Sequence, residues 1–253
     1  LEEGLMSEGT IRNLVKKYTA DELIQAYNIY VQEYIYPNMD IMSDIHILDC
    51  TEIEVELDND NYEYSEVIKD EEGIRRGYKL STIRGIVGDT GILEEVKLGS
   101  LKQHDLELSR DMILKSKMLK PGDILINDRG FISREVLNQL KTDREVDTYI
   151  PLRKNMEAYE QAVSVAKEQN KWQAHSNKKR KDQKIAYVEA LGGYWRSNTP
   201  EKDVEINACV VHDKKADEYS VFVTTDLKKT ARQIIMTYEL RPEIEEDYRQ
   251  IKD

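Results

Sequence analysis

The chain has 253 residues, 40% hydrophobic and 34% charged, the composition of a globular protein with a sizeable core rather than a disordered segment. Its apolar runs are only a few residues long, which excludes a helical membrane span, and no basic stretch leads into an apolar one as a secretory signal would. With 49 acidic against 37 basic side chains the net charge is −12, which argues against a surface that grips phosphates everywhere and leaves only local basic patches for such a role. The two cysteines, Cys50 and Cys209, lie in apolar, strand-like stretches without metal-type spacing; both are expected to be reduced and buried, and a cytoplasmic location follows. The chain opens on Leu1 and stops inside a helical pattern at Asp253, which reads as an excised piece of a longer protein or a pseudogene-like fragment, with any DNA-binding head or dimerisation tail missing.

Residues 1–40 read as a helical N-terminal segment. Ile11, Leu14 and Val15 suggest one amphipathic helix, and Thr19-Ala-Asp-Glu22 is a capping box for a second that carries Leu23, Ile24, Tyr27 and Tyr30. Residues 41–153 form the first part of a core. From Ile45 to Val55 the chain alternates, so Ile45, Ile47, Asp49, Thr51, Ile53 and Val55 share one face of a strand while Glu52, Glu54 and Glu56 take the other. An aspartate on the apolar face is costly unless something satisfies its charge, which singles out Asp49. Two strands, Tyr78 to Val87 and Ile92 to Leu98, flank the hairpin signal Gly88-Asp-Thr-Gly91. That tetrad resembles the aspartic-protease triplet but has no second copy, so it reads as a turn. A helix is expected over Leu101 to Leu119.

The run Asp123-Ile-Leu-Ile-Asn-Asp128 lies between a Pro-Gly turn and Gly130, the pattern of a central buried strand with Asp128 at its C-terminal end. Ser133 is placed to cap a helix from Arg134 to Leu140, and Asp147 to Arg153 reads as a further strand. Residues 154–226 change character. A lysine-rich stretch containing Lys178, Lys179, Arg180 and Lys181 precedes strands at Ile185–Leu191, Val204–Val211 and Tyr219–Thr225, a mostly β insertion. The basic run suits either an exposed loop or a DNA-contacting patch. Residues 227–253 return to helix and close the core. His46, His104, His175 and His212 lack ligand spacing and are expected in surface or core roles, and Asp44, Glu246 and Asp247 as solvated charges.

At the C-terminus Pro242 suits a first helical turn, Ile244, Tyr248 and Ile251 fall on one face, and Glu245, Arg249 and Lys252 line an adjoining one. One acid and two cations on a stripe could hold a metal and neighbouring phosphates; the same pattern also suits a surface helix with an internal Glu–Arg pair. Asp49, Asp128 and Glu245 can meet only if two strands and a helix converge, as in a ribonuclease-H-like mixed sheet. Such carboxylate sites hold two divalent cations roughly 3.5–4 Å apart, and oxygen ligands suit Mg²⁺ or Mn²⁺.

Several segments together resemble the DDE transposases of bacterial insertion sequences. Tyr238, Arg241, Glu245 and Lys252 stand in the Y-x2-R-x3-E-x6-K spacing of one subgroup. Leu48-Asp49-Cys-Thr51 resembles the first-aspartate strand and Tyr78-Lys79-Leu80 the strand after it. Gly122-Asp-Ile-Leu-Ile-Asn-Asp128-Arg-Gly-Phe131 resembles the second-aspartate motif, and Thr224-Thr-Asp-Leu227 the closing segment. The similarity runs from about residue 41 to 253. It implies an α/β, ribonuclease-H-like mixed sheet flanked by helices, with a β-rich insertion before the last catalytic helix. It implies Asp49, Asp128 and Glu245 as ligands of two Mg²⁺ or Mn²⁺ ions, and Tyr238, Arg241 and Lys252, with Arg249 beside them, as DNA contacts. The reaction implied is metal-dependent cleavage at transposon ends and strand transfer into target DNA, by a homodimer assembled on DNA in the bacterial cytoplasm, at the nucleoid when active. Pro242 replaces the tryptophan that many relatives carry after the motif arginine. The alternatives are an inactive transposase-derived module that binds DNA or protein, and a stand-alone metal-dependent nuclease that cuts without joining.

Overall fold

The computed structural model describes residues 7–39, 43–58, 60–70, 73–87 and 90–252. Helices α1 (Glu8–Val15) and α2 (Ala20–Tyr30) come first, followed by a π-helical turn (Val31–Ile35) and a 3-10 turn (Tyr36–Asn38). The Thr19–Glu22 capping box is formed as expected. Strands β1 (Ile45–Val55), β2 (Glu66–Asp70), β3 (Gly73–Val87) and β4 (Thr90–Ser100) lead to helix α3 (Asp105–Lys115). Then come β5 (Ile124–Asn127), α4 (Arg134–Arg144), β6 (Asp147–Pro151), α5 (Glu157–Gln169), β7 (Gln173–Ala174), β8 (Gln183–Val188), β9 (Asn207–Asp213) and β10 (Glu218–Thr224). Helices α6 (Ala231–Tyr238) and α7 (Glu243–Lys252) close the described chain.

The strands join one mixed sheet in the order β2-β3-β1-β5-β6-β10-β9-β8-β7, with β4 on the same edge of β3 as β2 but farther along it. Among the described strands the parallel pairs are β1–β5 and β5–β6, and each of the two connections contains a helix. Residue parity then divides the core. Ile47, Ile126 and Tyr149 face α6 and α7, whereas Leu48 and Leu125 face α3 and α4 on the other side. A third cluster packs α5 under β8–β10 around the fully buried Trp195, whose indole N–H donates to Asn138 Oδ1 at 2.7 Å. This is a central mixed sheet flanked by helices, consistent with the ribonuclease-H-like arrangement.

Helix α2 covers the outer edge of β4. Asn28 accepts from the Val96 N–H at 2.9 Å and donates to the Val96 carbonyl at 3.0 Å, standing in for a missing strand and blunting the exposed edge. The β3–β4 hairpin is present through the Val87–Thr90 pair, while Gly88 and Asp89 of its expected turn lie outside the described residues. One expectation is corrected. The helix expected over 101–119 is shorter at both ends: His104 Nδ1 accepts the Leu106 N–H and starts it late, and Arg144 takes the carbonyls of Leu114, Ser116 and Leu119 as hydrogen-bond acceptors, so the chain can leave the helix there without orphaned groups. Residues 157–169 form a helix within the stretch read as mostly β, and strands β8–β10 hydrogen-bond into the common sheet through β10 and β6. Strand β2 also went unread, because only five half-exposed residues carry it. Among the described residues no helix is long and apolar enough to cross a membrane.

Candidate active site

Register places the two aspartates. β1 and β5 are parallel with Leu48 opposite Asn127, so Asp49 and Asp128 are the next residues along neighbouring strands. Both share parity with Ile47 and Ile126, which puts them on the sheet face under α6 and α7. Helix α7 is fastened over that face by Ile244 and Tyr248, one turn apart and both buried, with the Tyr248 hydroxyl 2.6 Å from Thr82 Oγ1 on β3. A second clamp is Arg84. Its guanidinium, almost wholly buried, donates to Asp247 Oδ2 at 2.5 Å and to Glu243 Oε2 at 3.0 Å. Gly91 leaves the room for it, since a Cβ there would fall about 2 Å from the Arg84 guanidinium.

Glu245 stands in the first turn of α7, and Arg241 links it to Asp49. Its Nη2 donates to Asp49 Oδ2 at 2.7 Å and its Nη1 to Glu245 Oε1 at 3.0 Å. Asp49 Oδ1 accepts the Cys50 N–H at 2.9 Å. Burial pushes the Asp49 carboxyl up to about 6, with Asp128 and Glu245 pushing the same way and Arg241 and the Cys50 N–H opposing them. For Arg241, burial works against its charge, but Asp49, Asp128, Tyr238 and Glu245 outweigh it and raise its pKa. Three carboxylates therefore share one electrostatic neighbourhood with one guanidinium. Among the described residues no three His, Cys, Asp or Glu side chains stand ready to hold a metal ion; between Asp49 and Glu245 it is a guanidinium that supplies the positive charge. The donor chemistry nonetheless fits a divalent ion: hard carboxylate oxygens, an excess of negative charge, and a buried aspartate whose ionisation lacks full compensation.

Tyr238 ends α6 with its ring 4.7 Å from Phe222 at 45°, and burial, then Asp128, push its hydroxyl up to about 12. Arg180 reaches the same region, its Nε 2.8 Å from Glu239 Oε1, and lines with Tyr238 and Arg241 a cleft of about 350 Å³. Lys178, Lys179 and Lys181 stay exposed on the turn between β7 and β8. Arg249 pairs with Glu246 rather than Glu245, and Lys252 is exposed at the end of α7. Structure thus brings together Asp49, Asp128, Glu245, Arg241 and Tyr238, adds Arg180, and leaves Arg249 and the three lysines outside that cluster.

Several side chains depart from their sequence reading. Ile251 is exposed, because α7 rests on its first two turns only. Asp247 is not a freely solvated charge but half of the Arg84 clamp. Cys50 is only partly buried, though burial raises its thiol to about 12; Cys209 is fully buried, and both are free. Arg84 and Phe222 went unnoticed. A signal for Arg84 was available: an arginine among alternating apolar residues of a central strand needs buried partners.

Residues 43–253 match the family model described as a transposase DDE domain. No curated protein matches the chain.

Proposed function

The chain belongs to the transposase DDE domain family, and on that premise we propose that Asp49, Asp128 and Glu245 are its catalytic carboxylates and that it cuts DNA at transposon ends and joins them to a target. The observation that supports this most is that Asp49 and Asp128 stand on neighbouring strands while the motif arginine ties Asp49 to Glu245 of α7. The family generally uses divalent metal ions. Bound by these carboxylates, Mg²⁺ or Mn²⁺ would supply activation of an attacking oxygen and charge stabilisation of the leaving one.

The chain's own residues supply the rest. Asp49 must be ionised to act as a ligand, and its raised pKa means that a nearby cation, now Arg241, is needed to hold it so. Arg241 is a long side chain with a second potential partner in a DNA phosphate, so substrate can draw the guanidinium off the carboxylates. The Tyr238 hydroxyl stays protonated at neutral pH and can donate to a phosphate oxygen, its ring fixed by Phe222. Lys252, and the basic turn carrying Lys178, Lys179, Arg180 and Lys181, would hold the flanking backbone. We assign the chain to the Y-(2)-R-(3)-E-(6)-K subgroup on the spacing of Tyr238, Arg241, Glu245 and Lys252, read residues 154–226 as an insertion between the two parts of the core, and expect a homodimer on DNA.

Calorimetric titration of Mn²⁺ into the native chain and into Asp128→Ala tests the assignment. Binding that disappears in the variant supports it, and a Mn²⁺-dependent nick at a transposon end completes it. Equal binding in both proteins would refute Asp128 as a ligand. The excess negative charge and the guanidinium lodged among the carboxylates favour one other reading, an inactive descendant that only binds DNA or protein; it predicts bound DNA without metal-dependent cutting.

A further inference from the structure

A cleft of about 430 Å³ opens between the start of α4 and the loops after β6 and around residue 197, and three guanidiniums line it: Arg134, Arg153 and Arg196. Glu135 is the one carboxylate in its lining among the described residues. Elsewhere several arginines of this acid-rich chain pair with carboxylates: Arg75 with Glu52 and Asp70, Arg84 with Asp247, Arg180 with Glu239, Arg241 with Asp49, whereas Arg76 and Arg144 donate to backbone carbonyls. Arg153 donates to the backbone carbonyl of Arg129 at 3.1 and 3.3 Å and Arg196 to that of Gly193 at 3.2 Å, while no hydrogen bond or ion pair engages the Arg134 side chain among the described residues. None of the three has a described carboxylate at ion-pair distance; Asp203 feels Arg196 only from farther away. Three positive charges thus stand together without a direct ion pair among the described residues, in a protein whose net charge is −12.

The cleft's position matters as much as its charge. Asp128 follows the end of β5, and Arg153 lies just past the end of the neighbouring parallel strand β6. Arg153 is tied to the carbonyl of Arg129, the residue after Asp128. The cleft thus continues the sheet edge on which the carboxylates stand. Helix α4 adds the positive end of its dipole beside Arg134, with Ser133 as its cap.

We infer that the Arg134–Arg153–Arg196 cleft is a second DNA-backbone site, which takes phosphodiester groups flanking the one held at the carboxylates. The inference rests on the transposase reading and locates where the duplex leaves the catalytic centre. Guanidiniums that already donate one edge to carbonyls still present their remaining N–H groups to phosphate oxygens, in the forked geometry that suits them. Because these contacts are to phosphates, they carry affinity and positioning without sequence preference.

The test is binding of a short fluorescently labelled duplex of arbitrary sequence to the whole chain, followed by anisotropy over a range of salt concentrations. Each lost phosphate contact should make the negative slope of log K against log salt shallower by about 0.9, so the triple variant R134Q/R153Q/R196Q should lose about 2.7 of its steepness. The double variant R134Q/R196Q spares the Arg153–Arg129 contact and should lose about 1.8. R110Q, an exposed position on α3 outside the cleft, should leave the slope unchanged. A parent that binds while both cleft variants keep its slope, or an R110Q loss as large per charge, overturns this inference and leaves the transposase reading standing. A parent that binds no duplex at any salt concentration overturns both.

Discussion

Strands β1 and β5 carry an acid cluster at each end, and the two are solved in opposite ways. At the N-terminal end His46 lies between Glu94 and Asp123, its Nδ1 2.6 Å from Glu94 Oε2 and its Nε2 3.2 Å from Asp123 Oδ2, with the His46 and Glu94 side chains fully buried. Burial first, then Asp123 and Glu95, push Glu94 up to about 9, which favours its protonated form, and the two ring nitrogens of His46 are hydrogen-bonded to Glu94 and Asp123. Gly85 opposite leaves space for this carboxyl; a Cβ would come about 2 Å from Glu94 Oε1. At the C-terminal end Arg241 bridges Asp49 and Glu245 with Asp128 nearby, and the Glu245 side chain is 60% exposed. A cluster sealed from water settles its charge with a proton and becomes part of the core. A cluster left open at strand ends settles it with a cation that can be exchanged.

The comparison can be broken most strongly at the open end. Asp49→Asn, Asp128→Asn or Glu245→Gln should each lower cleavage of an end-bearing duplex by about 10³-fold or more, since several kcal/mol of charge stabilisation go with the ligand; gel assays of nicking, with circular dichroism to verify the fold, decide this, and a variant that cuts normally removes that residue from the site. Next comes Arg84→Ala. It strands Asp247 and Glu243 beneath α7 and should cost about 2 kcal/mol in urea unfolding, less than the roughly 3–5 kcal/mol of a wholly buried pair because both acids are partly wet. Arg249→Ala loosens a solvent-exposed pair with Glu246 and should move the urea midpoint much less than Arg84→Ala does; equal losses in the two would mean that Arg84 does not clamp the helix.

Arg241→Gln sharpens the contrast. Without the resident guanidinium, Mn²⁺ should bind the carboxylates about tenfold more tightly in the absence of DNA, a gain of about 1.4 kcal/mol. Calorimetry that finds weaker binding instead would make Arg241 a support of the metal site rather than its occupant. The sealed end responds to pH instead. Glu94 has a folded-state pKa above its unfolded value, so its stabilising contribution is complete below the ordinary carboxylate range and is lost as pH rises through about 9. Glu94→Gln should abolish that decline. Urea midpoints of parent and variant that fall in parallel from neutral to alkaline pH would show that Glu94 is already ionised.

The amino-acid sequence by itself determined most local structure and the identity of the acids worth watching. Alternation defined β1 with its observed limits, Thr19 and Ser133 announced their helix caps, and an aspartate on an apolar strand face already demanded a partner. These features are legible because period and capping act over a few neighbouring residues. Tertiary structure alone decided the register that sets Asp49 beside Asp128, the landing of α7 on Thr82 and Arg84, and the lodging of Arg241 between two carboxylates 192 and 4 residues away. It also decided that Arg249 turns to Glu246, that Asp247 is half buried, and that Glu94, carried inward where the β3–β4 register shifts, favours its protonated form. Each of these depends on which charges come within a few ångströms once water has been excluded. No pattern along the chain encodes that, because the interaction is set by distance in space and by local dielectric rather than by separation in sequence.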